Sequence, residues 1–258
     1  MARIWHSGFE LNTIATNVEW TSTNGTPTII STGERTGSYA GEVNGMVSGT
    51  AKGFKVNFAS TTKTGPYYTR VYANFITLPS AENTFIALMN GALFSSTKSA
   101  KLTVDNSGVV KLYNQTTQIT GTTTITTGTW YCFEIWFDAS GGAGAGVLKA
   151  RVNQAAEFAS SSIQTLLNVE GLIVGLNLNS EAQTTGQVDF DDIAINDNTG
   201  ASQTSYPGAG QIVNLQPNAA GDNNGWLVGA GGTAGQANNY TRVDEVTPDD
   251  ATSYNADA

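Results

Sequence analysis

The densest carboxylate group in the first two hundred residues is Asp189-Phe190-Asp191-Asp192, with Asn196 and Asp197 just beyond it. Positions 189 and 191 alternate across Phe190, so on a strand their side chains leave from one face. Two carboxyl groups about 5–5.5 Å apart are what retaining glycoside hydrolysis requires. Nothing in the flanking sequence gives the two acids differing environments, so hydrolysis ranks last among the readings. The same oxygens are the hard ligands that calcium takes, which makes Asp189, Asp191, Asp192 and Asp197 the metal candidates. Ile193 stands where EF-hand spacing demands a third ligand. The plain reading is a strand end carrying solvated acids; no cofactor is expected, and calcium is the alternative.

Other chemistries find less to work with. A Ser-His-Asp or Cys-His site would have to use His6, the single histidine. The sequence has no Gly-x-Ser-x-Gly elbow and no phosphate loop of the Gly-x-x-x-x-Gly-Lys type. No catalytic residue is assigned, and the chain is read as a binder rather than an enzyme. Most aromatics are expected in the core. Tyr67, Tyr68 and Tyr72, which follow Gly65-Pro66, are the candidates for an exposed patch that stacks on a sugar.

The elements that would position these residues are strands almost throughout. Phe54 to Phe58 alternates apolar and polar residues, and Tyr67 to Thr77 sets Tyr68, Arg70 and Tyr72 against Val71, Ala73 and Phe75. Phe85 to Met89 is an apolar run suited to a central strand. Leu102 to Val104 and Val109 to Tyr113 flank Asp105-Asn106-Ser107-Gly108, a hairpin signal. Trp130 to Asp138 carries large side chains on both faces and so belongs between two layers. Val147 to Val152, Gly171 to Asn179 and Gln187 to Ile195 complete the set. Asn-Gly pairs beginning at Asn24, Asn44 and Asn90 mark further turns. Ala155 to Leu167 has room for one or two helical turns at most. Many short strands with Gly and Asn turns predict an all-β jelly roll or sandwich of two antiparallel sheets.

Charge divides the chain. Residues 1–188 hold eleven acidic and eleven basic side chains; residues 189–258 hold ten acidic ones and Arg242, so the formal −9 falls on the last seventy residues. Without clustered Lys and Arg, nucleic acid and anionic membrane surfaces are excluded as expected partners. The start of the chain lacks a signal peptide's basic and apolar regions, so synthesis in a cytoplasm is expected. No apolar run approaches the ~20 residues of a membrane helix. The lone Cys132 is read as a small buried hydrophobe.

The organisation expected is a jelly-roll domain over 1–196 and an acidic, low-complexity C-terminal arm over 197–258, rich in Gly, Asn and Asp. Such an arm cannot bury enough apolar surface to fold by itself. It is either a disordered tail or a segment that orders on a neighbour, with Trp226, Tyr240, Ile212 and Leu215 as its docking candidates.

The run Gly37-Ser38-Tyr39-Ala40-Gly41-Glu42-Val43, the lead Gly128-Thr129-Trp130-Tyr131 and the late Val188-Asp189-Phe190-Asp191-Asp192-Ile193 together resemble concanavalin A-like (laminin-G-like) jelly rolls. Glucanases of that superfamily carry a third acid on the late strand, where this chain has Ile193 or Ala194, so the resemblance implies no hydrolase. The opening Met1-Ala2-Arg3-Ile4-Trp5-His6-Ser7-Gly8-Phe9-Glu10 resembles tailed-bacteriophage virion proteins. So do Tyr206-Pro207-Gly208, Gly221 to Trp226 and Val243-Asp244-Glu245 with Pro248-Asp249-Asp250. This resemblance implies a capsid-decorating, neck or minor tail component, attached through its terminal segments to major capsid or tail proteins. A homo-oligomer, such as a trimer, suits closed assemblies. The alternative is a carbohydrate-binding module for host-surface adsorption.

Overall fold

In a computed structural model, the described residues are 3–58, 65–114, 117–142, 145–160, 168–212 and two short pairs, 227–228 and 255–256. Alternation of apolar and polar residues dictates strands wherever it occurs, and among the described residues there is no α-helix. In chain order the strands are β1 Arg3–Ser7, β2 Ser22–Asn24, β3 Thr28–Ile30, β4 Ala40–Val43 and β5 Lys52–Asn57. The middle of the chain gives β6 Tyr67–Thr77, β7 Asn83–Asn90, β8 Thr97–Val104, β9 Val109–Asn114 and β10 Thr117–Thr124. Then follow β11 Trp130–Asp138, β12 Val147–Val152, β13 Ala155–Ser160, β14 Gly171–Leu176 and β15 Gln187–Asn196. The two-residue strands β16 Leu227–Val228 and β17 Asn255–Ala256 pair with each other.

Two antiparallel sheets form a jelly-roll sandwich. The eight-stranded sheet runs β13-β12-β11-β6-β15-β4-β3, with β1 added on β15. The seven-stranded sheet runs β10-β9-β8-β7-β14-β5-β2. Their inner faces share one core, in which Phe85 packs edge-on against Phe75 at 5.2 Å and Phe133 at 5.0 Å. At one end Phe9, Trp20 and Phe54 close the sandwich, with Phe9 5.3 Å from Trp20 and 5.0 Å from Phe54. Gly41 sits against this cluster, where a Cβ would lie 2.4 Å from the Phe9 ring.

Two expectations change. Ala155–Ser160 is a strand, not a helical turn, because Ala155 to Ser160 pair antiparallel with β12. β15 ends at Asn196, yet residues 197–212 do not leave the domain: they run back across the eight-stranded sheet.

Candidate binding face of the eight-stranded sheet

Strand alternation sorts the side chains of this sheet. On β6, Tyr67, Val71, Ala73 and Phe75 enter the core, so Tyr68, Arg70, Tyr72 and Asn74 face outward. On β11, Phe133, Ile135 and Phe137 point in, which turns Trp130, Cys132, Glu134 and Trp136 out. On β15, Val188 and Phe190 point in and Asp189 and Asp191 point out. Registry then sets outward residues side by side: Asp189 opposite Asn74 and Trp130 beyond it, Asp191 beside Tyr72 and Cys132. One row further come Ala194, Arg70 and Glu134, and then Asn196, Tyr68 and Trp136.

A bulge interrupts β15 between Asp191 and Ala194, and Asp192 sits in it at φ 49. Left-handed backbone is tolerated by Asp better than by most residues. The extra residue resets the alternation, so that Ile193 and Ile195 also reach the core.

The acids are largely consumed by the protein itself. Asp191 accepts hydrogen bonds from the backbone N–H of Arg35 (3.0 Å), Thr36 (3.1 Å) and Asp192 (2.7 Å). Burial, then the adjacent Asp192 carboxylate, push Asp191 up to about 8 against those donors. Asp192, fully buried, pairs with the Arg35 guanidinium, accepts from Thr36 Oγ1 at 2.8 Å and takes the Ile212 N–H. Asp197 caps its own turn, accepting from Thr199 N and Oγ1 at 2.9 and 2.8 Å. The oxygens a cation would need are therefore taken, and among the described residues no group of three or more His, Cys, Asp or Glu could hold a metal. Asp189 differs: its Oδ1 is buried without a partner, and burial with the Glu42 charge pushes it up to about 7.

The chain after β15 forms a strap over half of this face. Asn196 Nδ2 donates to Ser205 O at 2.9 Å, and Gly208 N donates to Glu134 Oε1 at 2.7 Å. Arg70 Nη1 donates to Gly208 O (3.0 Å), and Arg35 Nη1 to Gly210 O (2.8 Å). Gly210 permits this approach, since a Cβ there would lie 2.6 Å from Arg70 Nη1. Tyr206 lands on an aromatic ledge. Its ring is 5.5 Å from Tyr68 and 6.4 Å from Trp136, with the Arg151 guanidinium 3.8 Å from its centroid. Tyr68 and Trp136 stack at 5.6 Å, and Lys149 Nζ lies 5.0 Å from the Trp136 ring.

Along the same face, four polar atoms are buried without a hydrogen-bond partner among the described residues: Trp136 Nε1, Glu134 Oε2, Asn74 Oδ1 and Asp189 Oδ1. Buried polar atoms are nearly always paired, so four on one face call for a reason.

The residues expected to matter thus separate. Asp189, Asp191, Tyr68 and Tyr72 share the outer face, with Asp192 in the bulge between its rows. Tyr67 does not: only 4% exposed, it packs edge-on against Phe58 at 5.0 Å inside the sandwich. Tyr72 is covered by Arg35, whose guanidinium stands 3.5 Å from its centroid. His6 is exposed on β1 beside Ala194. Cys132 is buried, its thiol pushed up to about 11 by that burial. Ile212 lies against Gly8, while Leu215, Trp226 and Tyr240 fall outside the described residues. Glu134, Trp136 and Tyr206 were not singled out for binding. The two-faced pattern of β11 was the available signal for the first two; nothing local marks Tyr206.

The architecture is that of a jelly-roll β-sandwich, and comparison with known proteins carries the assignment to that level. No family model matches the sequence, and no curated protein matches it. Among solved structures, similarity extends to the cellulose-induced protein Cip1, at 17% identity over 72% of this chain and 88% of that one (TM-score 0.50). It extends also to the binding domain of Paraclostridial Mosquitocidal Protein 1, at 10% identity, 76% and 48% coverage and a TM-score of 0.54. The botulinum neurotoxin serotype D binding domain gives 11% identity, 76% and 48% coverage and 0.52. The chain spans about half the length of the two toxin domains. At these identities the likeness shows the fold alone.

Proposed function

We propose that this chain is a non-catalytic binding domain that recognises carbohydrate on the outer face of its eight-stranded sheet. The observation that carries this is the set of buried, unpartnered polar atoms beside the aromatic ledge, which a ligand reaches by displacing the groups that cover them: one donor, Trp136 Nε1, and three acceptors on Glu134, Asn74 and Asp189. A sugar hydroxyl both donates and accepts, and the apolar face of a pyranose stacks on aromatic rings. The solved binding domains of similar fold are in keeping with a binding role. A glycan array read with the wild-type chain and with Trp136→Ala tests the proposal. Binding to at least one glycan that Trp136→Ala abolishes is expected; an array with no positive glycan, or one whose hits all survive Trp136→Ala, would refute it.

A second reading, placement on a tailed-phage particle, is favoured by one observation. Ile212 lies against Gly8, and both line the same cavity as Arg3, Trp5 and His6, so the virion-like N-terminal segment and the end of the strap meet at one corner of the domain. In this reading the segment after 212 attaches the domain to capsid or tail proteins, in several copies whose weak contacts add up, while the glycan face points outward. Co-sedimentation with phage particles lacking the protein tests it. Full-length chain should pellet with the particles and a chain ending at Ile212 should not; equal pelleting would overturn attachment through the arm.

A further inference from the structure

Three loops meet on the outer side of the seven-stranded sheet: 47–51, 91–96 and 177–183. With neighbouring residues they border an open pocket of about 520 Å³, whose lining includes Asn24, Thr50, Phe94, Lys98, Asn179 and Ser180. That volume falls within the roughly 300–1,000 Å³ of small-molecule sites.

The loops are stapled to one another from beneath. Asn83 and Asn177 are both buried: Asn83 Nδ2 donates to Asn177 Oδ1 at 2.6 Å, and Asn177 N donates to Asn83 Oδ1 at 2.8 Å. Asn177 Nδ2 then reaches Val47 O (3.1 Å) and Gln183 O (2.9 Å), tying two loops together. Glu181 accepts from Thr84 N (3.1 Å) and Oγ1 (2.5 Å) and from Asn179 N (2.9 Å), and its main-chain oxygen accepts from Gly49 N at 3.0 Å. This network holds Asn177 and Ser180 in left-handed backbone, at φ 53 and 59. Strain of that kind persists where surrounding bonds over-determine it, and it concentrates at binding sites.

The lining selects a ligand class. Phe94 forms an apolar floor over Ala87, Met89, Ile173 and Leu178, and Leu93, 65% exposed, stands at its edge. The walls are amides and hydroxyls, which donate and accept alike. The lining holds one ammonium, on Lys98, and two of its three N–H groups already go to Phe94 O (2.5 Å) and Ser96 O (2.7 Å); a second, on Lys55, lies 5.8 Å from the Phe94 ring and is engaged by Ala92 O. Burial lowers Lys98 to about 8, which disfavours a site built for strong anions.

We propose that this pocket binds a neutral, hydroxyl-rich unit of monosaccharide size, its apolar face on Phe94 and its hydroxyls on Asn24, Thr50, Asn179, Ser180 and the free N–H of Lys98. The site is separate from the ledge on the opposite sheet and stands or falls independently of it. The test is an NMR titration of the full chain with the methyl glycosides of glucose, galactose and mannose. Saturable shifts of the Asn24 and Asn179 side-chain amides are expected with at least one of them. Phe94→Ala and Asn179→Ala should each weaken that binding roughly fivefold or more, and Trp136→Ala should leave it unchanged. Asn179 lies in a surface loop, so its variant reports on binding without a folding change. No saturable shift at Asn24 or Asn179, or shifts that survive both pocket variants, would overturn the site; shifts confined to Trp136 would do the same while supporting the ledge.

Discussion

Replacing Asp192 by Asn removes the charge at the centre of the strap's anchorage and keeps both the side-chain size and a residue that tolerates φ 49. The Asp192 carboxylate is wholly buried against Arg35, Thr36 and Ile212, and the Arg35 side chain is 22% exposed. Removing one member of a buried ion pair costs about 3–5 kcal/mol. Partial hydration of Arg35, and the acceptor oxygen Asn retains, bring the expected loss to about 2–3 kcal/mol. At about 2–4 °C per kcal/mol for a domain of this size, the unfolding midpoint should fall by roughly 4–12 °C. Urea unfolding with an unchanged slope measures it. Arg35→Met should cost a similar amount, and the double variant should cost less than the sum by about 1 kcal/mol or more, since the two partners are in contact. The Gly208 amide, which donates to Glu134, should exchange with solvent faster in each variant, because the strap opens more often. A loss under about 0.5 kcal/mol together with additive single costs would refute the anchorage.

Three further outcomes follow from the same geometry. A chain ending at Ile212 should unfold at the same urea concentration as the full chain, whereas one ending at Asn196 leaves Glu134, Arg70 and Asp192 without strap partners and should lose about 3 kcal/mol or more. Asp189 is raised to about 7 when folded, so the native state holds its proton above the unfolded value near 4. Its contribution is complete below pH ~4 and declines as pH rises to about 7; Asp189→Asn should flatten that decline in urea midpoints measured across the interval. At Gly53 a Cβ would lie 2.1 Å from Val174 O on the neighbouring strand, so Gly53→Ala should cost about 1–3 kcal/mol by forcing β5 from β14, read by thermal unfolding.

The long strands were legible because their patterns are strong. Tyr67 to Thr77, Phe85 to Met89, Trp130 to Asp138 and Gln187 to Ile195 all appear within β6, β7, β11 and β15. β2 and Thr-rich β10 carry too few apolar residues to announce themselves, and β3, Thr28-Ile29-Ile30, is too short to show a period; their partners make them strands. Tyr67 was grouped with Tyr68 in one patch, although adjacent residues on a strand leave from opposite faces. The strap was hidden for a different reason. Apart from the Tyr206 ring, it is held by hydrogen bonds of main-chain groups of Gly208, Gly210 and Ile212 to side chains up to 175 residues distant, and such bonds leave no trace in residue type.

The bulge at Asp192 decides whether the acidic cluster does chemistry. On a regular strand Asp189 and Asp191 would be two free carboxyls on one face, a geometry open to hydrolysis. The extra residue carries Asp192 to Arg35 and the strap, and the loop that brings Arg35 also delivers two backbone amides to Asp191. Of the three acids, Asp189 alone retains an unfilled buried oxygen. Its pairing neighbour Glu42 is engaged by Gln187 Nε2 at 2.7 Å and Thr28 Oγ1 at 3.3 Å. A carboxyl raised to about 7 could protonate a leaving group, but without a second free carboxylate no nucleophile follows. The chain should therefore release no reducing sugar from any glycan it binds. Asp189→Asn should alter affinity while leaving that null rate where it was. Hydrolysis by the wild type that Asp189→Asn abolishes would mean that Asp191 or Glu42 leaves its partners when ligand arrives, and the structural role assigned to the bulge would be wrong.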